Sequence, residues 1–167
     1  VLTGDSDVQQ QVFYEQVPVG AKLRVFGAVH VNDKNPMAAP GVLVARPANN
    51  YRRWWNNSWD VVEKGGQRKA GEWTVKEADR LKALVEHAHK NNYWIRFYTL
   101  DGCSRADLKR NGWFRDYDFG SRAAVMERWG AAKAVGVDYV ATDQYEDLAE
   151  FLKRADVSHS MVDNLFR

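Results

Sequence analysis

The chain has 167 residues, of which 45% are hydrophobic and 28% charged, which suits one domain with a buried core. Its net charge is +2, because 24 basic and 22 acidic residues are mixed along the chain, so the composition does not indicate a nucleic-acid groove. No apolar run approaches the ~20 residues that a membrane-spanning helix needs, so we predict no transmembrane segment. The single cysteine, Cys103, excludes an intrachain disulfide and a cysteine-based metal cluster, and we expect a buried thiol.

The first third of the chain predicts strands separated by polar connections. Residues 1–3 resemble the end of a strand. Residues 23–29 (LRVFGAV) are rich in β-branched and aromatic side chains, which favours a second strand. Residues 41–45 (GVLVA) form a short apolar run, typical of a strand buried on both faces of a parallel sheet. Residues 49–71 have neither helical nor strand periodicity and predict a long functional loop.

Three helices follow, each with recognisable ends. Thr74 and Glu77 have the spacing of a capping box at the start of the first helix. Ser121 is the expected N-cap of the second helix, and Gly136 is its expected C′ residue. A last helix is predicted over residues 145–154.

Two further strands, over residues 94–100 (WIRFYTL) and 137–142 (VDYVAT), alternate with these helices. Such alternation favours right-handed β/α units on a parallel sheet. We therefore predict an α/β domain whose parallel strands cover residues 23–29, 41–45, 94–100 and 137–142.

One arginine stands out within a predicted strand. Side chains alternate along a strand, so Arg96, Tyr98 and Leu100 are expected to share one face. A buried guanidinium needs an anion, which can be a carboxylate such as Asp143 or the phosphate of a substrate. A third alternative is an outward-facing, solvated Arg96.

Two other places carry candidate binding residues. The segment with Asn50, Arg52 and Trp54 combines a guanidinium fork for phosphate with flat rings that stack on a sugar or inositol ring. Its alternative is a folded lid in which the tryptophans form their own small core. Asp143 follows the last strand, where it can bind a metal, orient a general acid or cap the next helix.

The histidines give no catalytic pattern. His30, His87, His89 and His159 do not form a metal-ligand spacing on one helix face. His30 follows the strand at residues 23–29 but stands alone in the sequence.

A family resemblance rests on three segments in chain order: NYRRWW, LVEHAHKNNYWIRFYTLDG and GVDYVATDQYEDLAEFL. This order resembles the C-terminal half of the phosphatidylinositol-phospholipase-C-like phosphodiesterases, a barrel superfamily that includes glycerophosphodiester phosphodiesterases. The resemblance covers most of residues 41–152. It implies the C-terminal half of a (β/α)8 TIM barrel.

The resemblance also implies a function. It implies part of a phosphoric diester hydrolase that acts on phosphatidylinositol or glycerophosphodiester-type substrates, often with Ca2+ or Mg2+. The family's catalytic histidines and most metal ligands lie on the first four strands, in motifs such as HAHND and E-x-D. HAHND does not occur in this chain, and its one E-x-D triplet, Glu77 to Asp79, lies within a predicted helix and not after a strand. We therefore expect no catalytic residue here, and we expect the ligands of any metal mainly in the other half. The expected substrate-binding residues are Arg96, Tyr98, Arg52, Trp54, Asn50 and Asp143.

The expected partners follow from a half-barrel. They are a phosphodiester or phospholipid headgroup, together with the N-terminal half of the barrel or a second copy that covers the open strand edges. The localisation stays open, although members of the resembled family are often secreted or extracytoplasmic. The alternative function is a non-catalytic carbohydrate- or polyol-binding α/β module.

Overall fold

The computed structural model describes residues 7–32 and 34–154, and the strand expected at residues 1–3 lies outside them. In the described part, four strands form one all-parallel sheet, and their order in space is their order along the chain. The strands are β1 (Gly27–Ala28), β2 (Arg52–Ser58), β3 (Trp94–Tyr98) and β4 (Tyr139–Val140). The prediction of an α/β domain with a parallel sheet is confirmed.

Helices and short helical turns connect the strands. The α-helices are α1 (Asp7–Gln10), α2 (Pro40–Leu43), α3 (Val75–Lys90), α4 (Arg105–Asn111), α5 (Arg122–Val135) and α6 over residues 145–154. A π-helical turn covers Gln11–Glu15, and 3-10 turns cover Trp59–Val61, Gln67–Lys69 and Arg115–Tyr117. No helix in the described residues is long and apolar enough to cross a membrane.

The predicted helix ends are largely as expected. Ser121 caps α5 by accepting a hydrogen bond from the backbone N–H of Ala124 at 3.2 Å. Gly136 ends the same helix in the left-handed conformation, with φ at 79°, which glycine adopts without steric cost. Thr74 is the N-cap of α3, but its hydroxyl donates to the Glu77 carboxylate instead of accepting from a backbone N–H.

The two faces of the sheet differ in what covers them. Helices α3 and α5 pack on the face that carries Trp55, Ile95 and Phe97, and all three of these side chains are fully buried. The opposite face carries Trp54, Asn56 and Ser58 of β2, and Trp94, Arg96 and Tyr98 of β3, since these residues lie in register. Except for Trp54, they are only partly buried. We call this side the open face.

The strand predicted at residues 41–45 is wrong, because Pro40–Leu43 forms the helical turn α2. Pro40 occupies the first turn, where its fixed φ suits a helix and its missing N–H costs nothing. Leu43 and Val44 are nevertheless buried in the core. A short apolar run indicates burial but does not distinguish a strand from a helical turn.

The long loop predicted at residues 49–71 is also wrong, because it contains β2, the longest strand and an interior one. Tryptophan and asparagine occur on both faces of β2, so the segment lacks the apolar and polar alternation of a half-buried strand. The rest of the segment does include short turns, as expected.

The remaining predicted strands are longer than the observed ones. Only Gly27–Ala28 pairs within residues 23–29, and only Tyr139–Val140 pairs within residues 137–142. Arg96 and Tyr98 share a face of β3 as predicted. Leu100 does not share it, because it follows the strand and is fully buried in the core.

Candidate functional site

A cavity of about 500 Å3 opens at the carboxyl ends of β1 and β2. The loops that follow parallel strands meet at this edge, which is where such sheets usually build their sites. Part of the lining is apolar, with Val29, Leu43 and Val61. The polar lining residues are Asn56, Asn57, Ser58, Asp60 and Tyr98.

Arg96 lies on the open face beside this cavity. Its guanidinium donates to the Asn56 side-chain oxygen at 2.8 Å and lies over the rings of Trp54 and Tyr98, at 5.7 and 5.5 Å from their centroids. Asn56 itself lines the cavity. Among the described residues, no carboxylate forms an ion pair with Arg96. The predicted alternative of an Arg96 pair with Asp143 is therefore wrong.

Burial shifts the pKa values of both Arg96 and Tyr98 on β3. The pKa of Arg96 is lowered from its ordinary value, because partial burial penalises the charged guanidinium. The pKa of Tyr98 is raised, first by burial and then by the nearby Tyr117 and Asp60. At neutral pH, Tyr98 is therefore a neutral hydroxyl beside a charged guanidinium whose polar and aromatic contacts, in the part of the chain that is described, are one amide and two rings.

A carboxylate lies just after the end of β2. Asp60 lies in the turn after β2, and the Ser58 hydroxyl donates to it. Of the described residues that line the cavity, Asp60 alone carries a charge. Arg96 thus contacts Asn56, Asp60 contacts Ser58, and both charged groups act on the neighbouring Tyr98.

Asn57 is a lining residue with an unusual hydrogen-bonding state. It is 3% exposed, and neither its side-chain oxygen nor its nitrogen has a hydrogen-bond partner among the described residues. Buried side-chain amides in proteins nearly always have partners. Four of the polar lining residues were not predicted as site residues, although all four lie within residues 49–71, the segment predicted to be a functional loop: Asn56, Asn57, Ser58 and Asp60.

Arg52 and Asn50 are at the other end of β2 and do not join this cavity. Arg52, the first residue of the strand, donates to the backbone oxygen of Ala28 at 2.6 Å and to Gln10 at 2.8 Å. It lines a second cavity of about 730 Å3. Asn50 is exposed in the bend before the strand. Arg52 and Tyr98, which were both expected to bind substrate, therefore line different cavities.

His30 also lies at the second cavity, and it is not alone. Its Nε2 is 3.2 Å from the Asp7 carboxylate and 2.6 Å from the Arg52 guanidinium. These three residues are far apart in the sequence, so only the fold could bring them together. His30 stands alone in the sequence, whereas the fold places Asp7 and Arg52 beside it and leaves His30 itself exposed.

The three tryptophans of the β2 segment are all buried. Trp55 and Trp59 are fully buried in the core, and Trp54 is 4% exposed beneath Arg96. None of them offers a free ring to a sugar. Trp54 instead forms an edge-to-face contact with Tyr139 on the open face, with centroids 6.3 Å apart.

A polar network ties the ends of β3 and β4 together. Asp101 is 1% exposed and accepts hydrogen bonds from the Thr142 hydroxyl at 2.6 Å and from the Asp143 backbone N–H at 2.8 Å. Burial raises the pKa of Asp101 above its ordinary value, against the opposite effect of these hydrogen bonds. The Asp143 side chain is exposed, and the first hydrogen bond of α6 runs from Leu148 to Gln144, so Asp143 is not the N-cap.

Cys103 is buried, as predicted, and its thiol donates to Asp118 at 2.6 Å. Burial, followed by this hydrogen bond, raises the pKa of Cys103 to about 12. The thiol is therefore protonated and unreactive at neutral pH.

No group of three or more His, Cys, Asp or Glu residues in residues 7–32 and 34–154 is arranged to hold a metal ion. The prediction of Ca2+ or Mg2+, with ligands mainly in another part of a barrel, stays a prediction.

The chain was compared with protein-family models, with curated proteins and with solved structures, and no match was found. The resemblance to the phosphodiesterase barrels therefore stays a prediction, and a function has to be argued from the geometry.

Proposed function

We propose that this chain is the C-terminal half of a (β/α)8 barrel and supplies the substrate-binding residues of a phosphoric diester hydrolase acting on phosphatidylinositol or glycerophosphodiester-type substrates. The observation that carries the proposal is Arg96, a half-buried guanidinium without a described carboxylate partner, beside a cavity at the carboxyl edge of a parallel sheet.

The charge state of Arg96 favours an anionic ligand. Arginine stays protonated even where burial lowers its pKa, so the charge remains, and no carboxylate of residues 7–32 or 34–154 pairs with it. One oxygen of Asn56 and two aromatic faces compensate it only in part. A phosphodiester carries a single negative charge and two free oxygens, which match the planar fork of a guanidinium. Binding such a group would complete the hydrogen bonding of Arg96.

The architecture agrees with a barrel half. Four parallel strands follow one another in space in chain order, and α3 and α5 cover one face. In a closed barrel the helix-free face points inward, which would place Arg96 and Tyr98 among the interior side chains near the active-site end. The edges of β1 and β4 would then pair with the N-terminal half or with a second copy.

The chemistry requires residues from outside this site. Cleavage of a phosphodiester needs a base for the attacking oxygen and an acid for the leaving group, each contributing about 10²–10⁴-fold. In this proposal, histidines of the other half supply that pair, with Ca2+ or Mg2+ where a metal takes part. The present chain then binds the substrate and orients it.

The binding claim is tested by calorimetric titration of the chain with sn-glycero-3-phospho-myo-inositol. Charged hydrogen bonds contribute about 1.5–3 kcal/mol, so Arg96→Met should weaken binding by about 10- to 100-fold. The matched control is Arg68→Met, because Arg68 is exposed and pairs with Asp116 at 3.0 Å. Equal binding by the wild type and Arg96→Met would refute the proposal and favour the carbohydrate-binding alternative.

The catalytic claim is tested by turnover of the same compound with and without Ca2+ or Mg2+. We expect no turnover by this chain and turnover by a barrel that includes the N-terminal half. Turnover by this chain that is lost in His30→Ala would contradict the proposal that the catalytic histidines lie in the other half. His30 would then be a catalytic group of a self-sufficient enzyme.

A further inference from the structure

The unpartnered amide of Asn57 points to a ligand group of definite chemistry. Asn57 lines the cavity, is 3% exposed, and leaves both a donor and an acceptor without a partner among the described residues. A buried amide in this state is destabilising until something both donates to it and accepts from it. The missing partner must therefore combine the two properties.

The charge of the cavity further limits which chemical group can bind there. Asp60 is the one charged group among the described lining residues, and the rest of the polar lining consists of amides and hydroxyls. A second phosphate in this cavity would only accept hydrogen bonds and would face the Asp60 carboxylate without a cation. An anionic group is therefore disfavoured here, although Arg96 on the neighbouring open face favours one.

A cationic group fits the charge but not the amide. An ammonium ion would pair with Asp60, but it donates only and cannot accept from the Asn57 nitrogen. A trimethylammonium group can do neither. An alcohol group does both, since it donates one hydrogen bond and accepts two.

We propose that Asn57 and Asp60 are specificity-determining residues that select an uncharged, hydroxyl-bearing headgroup in the cavity of about 500 Å3, against headgroups that carry an ammonium ion or a further phosphate. This inference rests on the proposed function for the position of the phosphodiester at Arg96. One hydroxyl donates to Asp60, and another donates to the Asn57 oxygen while accepting from its nitrogen. The volume lies within the usual range of small-ligand pockets.

The test measures binding of three probes by calorimetry: sn-glycero-3-phospho-myo-inositol, its 4-phosphorylated form and sn-glycero-3-phosphoethanolamine. The wild type should bind the first at least about tenfold more tightly than either of the others. Asp60→Asn should reduce the difference in affinity between the inositol probe and its 4-phosphorylated form, because it removes the charge that repels the second phosphate. Asp116→Asn, at an exposed carboxylate, is the matched control and should leave that difference unchanged.

Asn57→Leu, which keeps the shape of the side chain, should remove the preference for the inositol probe over the ethanolamine probe. Circular dichroism verifies that the variant folds. An unchanged preference in folded Asn57→Leu, or equal affinities of the three probes for the wild type, would overturn the inference, and the amide would then have a structural partner only, such as a buried water.

The two proposals fail separately. In an NMR titration of the wild type with free myo-inositol, we expect shifts of the Asn57 side-chain NH2 signals at millimolar concentration. Such shifts, combined with glycerophosphoinositol binding that is insensitive to Arg96→Met, would refute the phosphate site and retain the hydroxyl site. If Arg96→Met abolishes binding but the Asn57 signals do not move with either inositol probe, only the hydroxyl site is refuted.

Discussion

Two buried or half-buried arginines lie on opposite faces of the same sheet, and their surroundings differ. Arg128 in α5 is 1% exposed and binds both carboxylate oxygens of Glu63, at 2.9 and 3.0 Å, and the Gly71 backbone oxygen at 2.7 Å. Glu63 also accepts from the Trp59 indole at 2.7 Å. Arg96 on the open face has one amide oxygen and two rings.

The partners of a buried guanidinium distinguish a structural arginine from one that can bind a ligand. The fully buried Arg128 has a carboxylate in bidentate geometry, and the half-buried Arg80 donates instead to the backbone oxygens of Val61, Pro36 and Ala38. Arg96 has neither kind of partner set among the described residues, so its charge is available to a ligand. Substitutions of Glu63, Arg96 and Asp101 test that distinction.

Glu63→Ala should destabilise the chain by about 3–5 kcal/mol, because it removes the bidentate buried carboxylate of Arg128 and leaves only the exposed Glu127 carboxylate, at 3.1 Å, as its described ion-pair partner. Urea unfolding followed by circular dichroism measures the loss. The control is Asp116→Ala, which breaks the exposed pair with Arg68 and should cost about 0–1 kcal/mol. Equal losses in the two variants would show that the Arg128 pair is no more important than a surface contact.

Arg96→Met should lower the free energy of unfolding by about 1–2 kcal/mol, well below the loss in Glu63→Ala, because it removes one hydrogen bond to Asn56 and two cation–π contacts but no described ion pair. The same unfolding assay measures it beside the binding assay. A loss comparable with that of Glu63→Ala would mean that Arg96 is a structural residue, and the comparison of the two arginines would fail.

A buried carboxylate without a described ion-pair partner should also affect stability, although less than the two arginine changes. Asp101 is buried with two hydrogen bonds but forms no described ion pair, and burial raises its pKa above the ordinary 3.8. The native state therefore holds this proton more tightly than the unfolded chain, so stability declines as the pH rises from about 3.8 through the raised pKa. Asp101→Asn keeps an acceptor oxygen and should flatten that decline.

Urea unfolding at a series of pH values from 3.5 upward measures this effect for the wild type and Asp101→Asn. The difference between the two chains should depend on pH only within that window. A wild-type stability that instead rises relative to Asp101→Asn across it would mean that the hydrogen bonds from Thr142 and Asp143 outweigh burial.

The sequence predicted the parts of the fold that depend on local signals. The caps at Ser121 and Gly136 and the final helix follow from side-chain chemistry within a few residues. It failed for β2, because tryptophan and asparagine occur on both faces and hide the apolar and polar alternation that marks a half-buried strand.

The candidate site was predicted in part for a related reason. Arg96 and Tyr98 could be placed on one face from alternation alone, and they do share it. Arg52 could not be separated from them, because strand register decides which end of the sheet a residue occupies. The pairing of Asn56 with Arg96 likewise depends on a register between strands 40 residues apart.

The central claim is that Arg96 binds a phosphodiester whereas Arg128 is structural, and one spectrum tests both. In a chain labelled with 15N-arginine, the side-chain Nε–H signals are recorded during titration with sn-glycero-3-phospho-myo-inositol, and Arg96→Met identifies the Arg96 signal. We expect the Arg96 signal to shift saturably while that of Arg128 stays fixed by Glu63. An Arg96 signal that does not move while the ligand binds elsewhere, or two signals that move together, would contradict the claim.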